Sequence, residues 1–268
     1  MDRWASGPHG IGSMPYRHVM RHDQIALQLY TVRSLAAADL PGTLQAVAAA
    51  GYQAVELAGL PRIEPGELAQ LLDAAGLRAI AAHESIELLR NDADAVSDRL
   101  TVVGCPRVIV PSIPEGERRT TDDVRRFAAA LGGFARRFAE RGITLGYHNH
   151  DFEFAALDGT TIWDILLDEL PPDVELELDV YWAAHGGRDP VAEINATAGR
   201  VRLLHMKDRA LDPEPHDVPA GEGTLAFPEI VVEARAAGVE WYIVEQDEPS
   251  EPIADVTRAF EYLTSLAN

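Results

Sequence analysis

Residues Thr121–His150, TDDVRRFAAALGGFARRFAERGITLGYHNH, contain one complete unit from which the rest of the chain can be read. Val124, Phe127, Leu131, Phe134 and Phe138 recur at three- and four-residue spacing, which predicts a helix over Thr121–Arg141 with one apolar stripe. Gly142 then offers the left-handed residue that ends such a helix. Ile143–Tyr147 follows as a short apolar strand signal and runs straight into His148-Asn149-His150-Asp151. The order is helix, glycine, buried strand, then ligand-type side chains where the strand ends.

The same order recurs on both sides of this unit. Strand signals fall at Ile25–Tyr30, Ala54–Leu57, Leu77–Ala82, Arg107–Val110, Val174–Leu178, Val201–His205 and Trp241–Glu245. Helical periods at Leu40–Ala50, Pro65–Ala75 and Phe227–Ala237 stop at Gly51, Gly76 and Gly238. Strands alternating with helices predict parallel βαβ units, and eight of them suit a single closed (β/α)8 barrel of the TIM type. A doubly wound open sheet is the alternative. Its first strand is normally followed by a glycine-rich phosphate loop, and Gln28–Ser34 (QLYTVRS) has no glycine. A length of 268 residues suits one barrel. The reading is a loose leader over residues 1–22 and one barrel domain over 23–268.

Composition narrows the function classes. The formal charge of −20, from 23 basic and 43 acidic residues, opposes a nucleic-acid partner. No apolar run reaches the ~18 residues of a membrane span. The single cysteine, Cys105, rules out a disulfide within the chain and reads as a small buried residue, which fits a cytoplasmic location.

In a barrel of this kind chemistry gathers at the C-terminal ends of the strands. Here those ends are polar: Glu56, His83 and Glu84, His148 and His150, Asp179, His205 and Lys207, and Glu245. Side chains alternate along a strand, so His148 shares a face with His150, Glu177 with Asp179, His205 with Lys207, and Glu245 with Asp247. If the first residue of each end-group points into the mouth, His148, Asp179, His205 and Glu245 converge from four consecutive strands. Two imidazoles and two carboxylates suit one divalent ion such as Mn²⁺, Co²⁺, Zn²⁺ or Fe²⁺ better than Ca²⁺. Taken singly, each residue has an ordinary alternative: a hydrogen-bonded core histidine, a helix-capping aspartate, or Glu56 paired with Arg33. Four together at successive strand ends would be a costly accident, because unpaired buried charge is expensive.

On these residues the chain resembles the sugar phosphate isomerase/epimerase superfamily, the xylose-isomerase-like barrels, from about Ile25 to Leu266. The resemblance is to a bacterial branch carrying YHNHDFEF, here Tyr147–Phe154. ELDVYWAAHGG (Glu177–Gly187), LLHMKD (Leu203–Asp208), PAGEGTL (Pro219–Leu225) and WYIVEQDE (Trp241–Glu248) look like the same branch. The resemblance implies a Glu, Asp, His, Glu quartet holding Mn²⁺ or a similar ion. Asp179, His205 and Glu245 match three positions. His148 stands where ketose epimerases carry a glutamate, so one of their two opposed acid/base carboxylates is missing.

The expectation is therefore a metal-dependent isomerase or epimerase of a small polyhydroxylated sugar, working through an enediolate. Glu245, His150 and Glu56 are the candidate catalytic groups. His83, Lys207 and Trp182 are the candidate substrate contacts, with Lys207 alternatively stabilising the enediolate. The loop Pro219–Thr224 is a candidate lid. The main alternative is a lyase, dehydratase or 3-keto-glycoside-cleaving enzyme that uses the same enolisation. A non-catalytic sugar-binding barrel is a second alternative. A phosphodiesterase of the AP-endonuclease type shares the barrel, but it implies a richer His/Glu set and a basic surface, against nine histidines and a charge of −20 here. The family also implies a homodimer or tetramer.

Overall fold

The computed structural model describes residues 20–267; the predicted leader lies almost wholly outside them. Eight parallel strands close into a barrel: β1 (Ile25–Gln28), β2 (Ala54–Leu57), β3 (Arg78–His83), β4 (Arg107–Val110), β5 (Thr144–His148), β6 (Glu175–Asp179), β7 (Val201–Met206) and β8 (Trp241–Val244). Each pairs with its sequence neighbours, and β8 closes on β1 through Ile25–Tyr242, Ala26–Ile243 and Leu27–Val244. The open-sheet alternative is thereby excluded. Two strands are shorter than their apolar runs. β1 stops at Gln28, where the chain turns into a 3-10 helix over Leu29–Val32, and β8 stops at Val244, one residue before Glu245.

The helix of the opening unit spans Thr121–Ala139. Thr120 caps it, accepting from the Asp123 N–H while the Asp123 carboxylate accepts from Thr120. Val124, Phe127, Leu131 and Phe138 are buried along its inner face, each worth about 1.5–3 kcal/mol of burial. Gly142, at φ +71°, ends the turn that feeds β5.

The barrel interior changes character along its axis. Near the N-terminal ends of the strands, Arg107 bridges Glu175 and Glu240. Above them lies a small apolar layer of Ala26, Ala54, Ala81, Ile109, Leu203 and Ile243. One step further toward the C-terminal ends, the inward residues are Gln28, Glu56, His83, His148, Glu177 and His205. The apolar layer below closes the floor, and the polar layer lies toward the mouth.

Candidate metal centre and active site

His205 is the hub of the polar layer. It is fully buried, and each ring nitrogen faces carboxylates. Nε2 lies 2.9 Å from Glu56 Oε2 and 3.1 Å from Glu177 Oε1. Nδ1 lies 2.8 Å from Glu245 Oε2 and 4.0 Å from Asp179 Oδ2. Burial alone would favour the neutral ring, but Glu177 and Glu245 outweigh it and hold His205 well above the ordinary imidazole range.

Glu177 organises the deeper side. Its Oε1 is 2.7 Å from His83 Nε2, 3.0 Å from His148 Nδ1 and 3.1 Å from His205 Nε2. Burial would raise this carboxylate, yet the charges of His205 and His83 and these hydrogen bonds keep it well below the usual range. Glu56 is raised instead, by burial and by its neighbour Glu177. Gln28 Nε2 donates to Glu56 Oε2 at 3.0 Å. Arg33 is elsewhere, on the carbonyls of Tyr30 and Asp247 and on Glu248, so the Arg33–Glu56 pair does not form.

Asp179, His205 and Glu245 form one group whose ligand atoms lie within 4.8 Å of one another, with Glu245 reaching the mouth. Asp179 Oδ1 caps the helix Val180–His185 by accepting from the Trp182 N–H, while Oδ2 is buried and has no hydrogen-bond partner among the described residues. Burial first, and then repulsion from Glu245, push Asp179 up to about 7 against the pull of Lys207. A second group within the same limit comprises His83, His148, Glu177 and His205. The structure thus brings three of the predicted quartet together, and the fourth, His148, falls in the second group, which shares His205 with the first. The register shows why: His148 pairs with Glu177, whereas Asp179 pairs with His205. With Nδ1 on Glu177, His148 keeps Nε2 for the mouth, and its ring centre is 4.6 Å from that of His205.

This donor set fits a divalent cation. An orphaned, buried carboxylate oxygen, a second carboxylate and an imidazole nitrogen face one spot. On the far side of that imidazole, Glu56 and Glu177 hold the other nitrogen, the carboxylate–histidine arrangement that orients metal-ligating histidines.

The open mouth is a cavity of about 550 Å³ lined by Gln28, Tyr30, His83, His148, His150, Glu245, Asp247 and Glu248. Of the predicted catalytic groups, Glu245 and His150 line it. Glu56 is fully buried beneath it. Of the predicted substrate contacts, His83 lines it. Lys207 is fully buried behind Glu245 and Asp247, with its ammonium 4.9 Å from the Trp182 ring centre and 5.3 Å from that of Tyr181. Trp182 packs on His150 at 5.5 Å between ring centres.

His150 is set by residues the strand-end rule did not single out. Its ring stacks on Phe152 at 5.6 Å and 8°, and Arg118 lies 3.4 Å over the outer face of Phe152. Its backbone N–H donates to Glu153 Oε2 at 2.8 Å, and Tyr147 Oη donates to Glu153 Oε1 at 2.5 Å. Burial, then Lys207 and His83, push His150 down to about 4, which leaves a neutral imidazole at the mouth. Glu177, Gln28 and Phe152 were the other omissions; the two-residue alternation that links Glu177 to Asp179 was the available signal for the first. The proposed lid is pinned: buried Asp208 accepts from the N–H groups of Gly221, Gly223 and Leu225 at 2.9–3.1 Å. A Cβ on Gly223 would stand 2.3 Å from the Asp208 carboxylate.

A family model described as Xylose isomerase-like TIM barrel matches residues 44–266. The chain belongs to that family. Among solved structures it is similar to a sugar phosphate isomerase/epimerase from Parabacteroides distasonis, with 26% identity, a TM-score of 0.79, and coverage of 91% of this chain and 99% of that one. The IOLI protein, whose crystal structure holds a zinc atom, shares the fold at 14% identity and a TM-score of 0.70, over 91% of this chain and 99% of that one. Inosose dehydratase of Lacticaseibacillus casei is 27% identical over 171 residues, which span 56% of each protein. This barrel therefore belongs to a family whose relatives include isomerase/epimerase and dehydratase proteins. Among the described residues no helix is long and apolar enough to cross a membrane.

Proposed function

We propose that this protein is a divalent-metal-dependent isomerase or epimerase of a small polyhydroxylated keto sugar, acting by removal of a proton next to the carbonyl. The observation that carries the reading is His205 between two carboxylate pairs, with the Asp179 Oδ2 atom buried and unpartnered beside its mouth-facing nitrogen.

Asp179, His205 and Glu245 would hold the ion, and His148 Nε2 is the fourth donor. Mn²⁺ is the first candidate, with Co²⁺, Zn²⁺ or Fe²⁺ as alternatives. When bound, the ion supplies Lewis-acid polarisation of the substrate carbonyl. Glu56 and Glu177 hold Nε2 of His205, so that Nδ1 is presented to the mouth. Neutral His150 is the base that takes the C–H proton. Glu245 is the second proton-transfer group at the same cavity. The electrons of the broken C–H bond pass into an enediolate, whose charge the buried Lys207 ammonium stabilises from behind Glu245. Return of the proton to the opposite face gives an epimer. Return to the neighbouring carbon, with transfer between the oxygens, gives an isomer.

A second reading, dehydration, is favoured by His83. Glu56 and Glu177 raise half-buried His83 against burial, whereas burial lowers His150, so two imidazoles of unlike basicity face one mouth. Such an unlike pair suits elimination. His150 takes the α-proton, the C–O bond to the β-hydroxyl breaks, and His83 gives the proton that makes the leaving group water.

Incubation of the metal-loaded protein with ketoses and inososes in D₂O, followed by NMR, tests the reading. Deuterium at one carbon of recovered substrate or product is expected. Turnover without deuterium would point to hydride transfer and end it. Metal analysis supplies the second arm: about one ion per chain in the native protein and a large loss in Asp179→Ala. Full metal content in that variant would remove the proposed ligand set.

A further inference from the structure

Four imidazoles gather at this site, and three of them are aimed by a carboxylate. His83, His148 and His205 each meet Glu177 Oε1 at 2.7–3.1 Å. His150 has no such tie. Its Nδ1 is buried with no hydrogen-bond partner among the described residues, which leaves Nε2 for the mouth. The bond from its backbone N–H to Glu153 fixes the turn after β5 but not the ring, whose χ2 torsion is intrinsically broad. The ring is fixed by other rings. Phe152 lies nearly parallel to it, at 8° and 5.6 Å between centres, Trp182 flanks it at 5.5 Å and 44°, and His148 meets it edge-on at 5.1 Å. Phe152 and Trp182 are each held by a cation in turn. The Lys207 ammonium lies 4.9 Å from the Trp182 ring centre, and the Arg118 guanidinium carbon lies 3.4 Å from that of Phe152. Arg118 comes from the loop between β4 and the helix Thr121–Ala139. It is half-buried, and its Nη1 has no hydrogen-bond partner among the described residues. A guanidinium with an unanswered buried donor carries a cost, and contact with an aromatic face, which desolvation strengthens, offsets it.

We propose that Phe152 and Arg118 are positioning residues for the proton transfer: Arg118 holds Phe152, and Phe152 holds the His150 ring with Nε2 toward the substrate carbon. This deepens the enolising reading above and rests on His150 being its base. A base must lie within hydrogen-bond reach of the proton it takes, and a ring free to turn about χ2 spends only part of its time so aimed. Neither Phe152 nor Arg118 lines the mouth, so their effect falls on the proton-transfer step and not on substrate binding.

The test compares Phe152→Leu, Phe152→Tyr and Arg118→Met with the native full chain, each variant checked for folding by circular dichroism. In Phe152→Leu, deuterium exchange into a ketose is expected to lose about 10–100-fold in kcat with KM within about twofold, the cost of a misplaced base. Phe152→Tyr keeps the ring and is expected to restore the rate. Arg118→Met is expected to lose about fivefold, the worth of one partly desolvated cation–π contact. A second readout needs no turnover. With ¹³C-labelled histidine in the Zn²⁺-supplemented protein, the ring signal lost in His150→Gln identifies His150. That signal is expected to move and broaden in Phe152→Leu and to stay in place in Phe152→Tyr. An unmoved signal in Phe152→Leu, a rate loss that Phe152→Tyr shares, or a change confined to KM would each overturn the proposal, while exchange by the native protein would leave the enolising reading standing. A signal that moves as expected, with no exchange into any ketose by the native protein, would do the reverse: the ring clamp would stand and the enolising reading would fall.

Discussion

Glu177→Gln isolates the part of the site that positions rather than binds. One oxygen of Glu177 lies 2.7–3.1 Å from nitrogens of three imidazoles, those of His83, His148 and His205. Hydrogen bonds to a charged acceptor contribute about 1.5–3 kcal/mol and neutral ones about 0.5–1.5 kcal/mol. Exchanging the carboxylate for an amide of the same shape therefore costs each imidazole about 1 kcal/mol, and the set about 3 kcal/mol. Part of that loss reaches the ion, because His205 presents Nδ1 to the mouth only while Nε2 is held on the far side. Replacing such an outer partner typically lowers metal affinity 10–100-fold. Titration of Mn²⁺ or Zn²⁺ against a chromophoric chelator should show a drop of that size, with one ion still bound at saturation. Asp179→Ala in the same assay should lose the stoichiometry itself. A folded Glu177→Gln protein whose affinity stays within about twofold of the native one would refute the supporting role, and with it the account of why His205 faces the mouth as it does.

Two further outcomes can be checked without substrate. Glu153 is pushed by burial from an ordinary 4.5 to about 7. A raised carboxyl contributes stability that is present below its unfolded value and is lost as pH climbs through the folded one, here about 3 kcal/mol between pH 4.5 and 7. The Tm of the native protein should therefore fall from pH 5.5 to pH 8.5 more steeply than that of Glu153→Gln; parallel curves would reject this origin. Cys105 is buried and its thiol is pushed up to about 12. It should ignore a thiol-specific disulfide reagent at pH 8 until the chain is unfolded by guanidinium, and rapid labelling of the native protein would contradict its placement.

Much of the architecture was legible in the chain because it rests on periodicity. The Val124–Phe138 stripe, the glycines closing Pro65–Ala75 and Phe227–Ala237, and eight short apolar runs are local features that name helix and strand without tertiary information. Strand ends were less legible. Leu29 and Tyr30 continue the apolar run of β1, yet the backbone turns into a 3-10 helix there. Apolarity marks burial, and a buried turn looks the same in sequence as a buried strand.

The candidate metal centre shows where strand ends alone do not place a side chain. The first residue of each polar end-group is expected to point into the mouth, but neighbouring strands in a tilted barrel are staggered, and β2 and β6 each carry a register shift in pairing with the next strand. That stagger puts His148 level with Glu177 and leaves Asp179 level with His205. Neither fact is written in the spacing of either strand, since both depend on how two strands meet. The consequence is chemical. His205 belongs to both groups and meets carboxylates on each ring nitrogen, so Glu56 and Glu177 on one side fix the orientation of the nitrogen offered to the proposed ion on the other. Glu56, placed among the catalytic groups on sequence grounds, is fully buried against Nε2 of His205. Its route to the chemistry runs through His205, which makes it a positioning residue for the proposed ion.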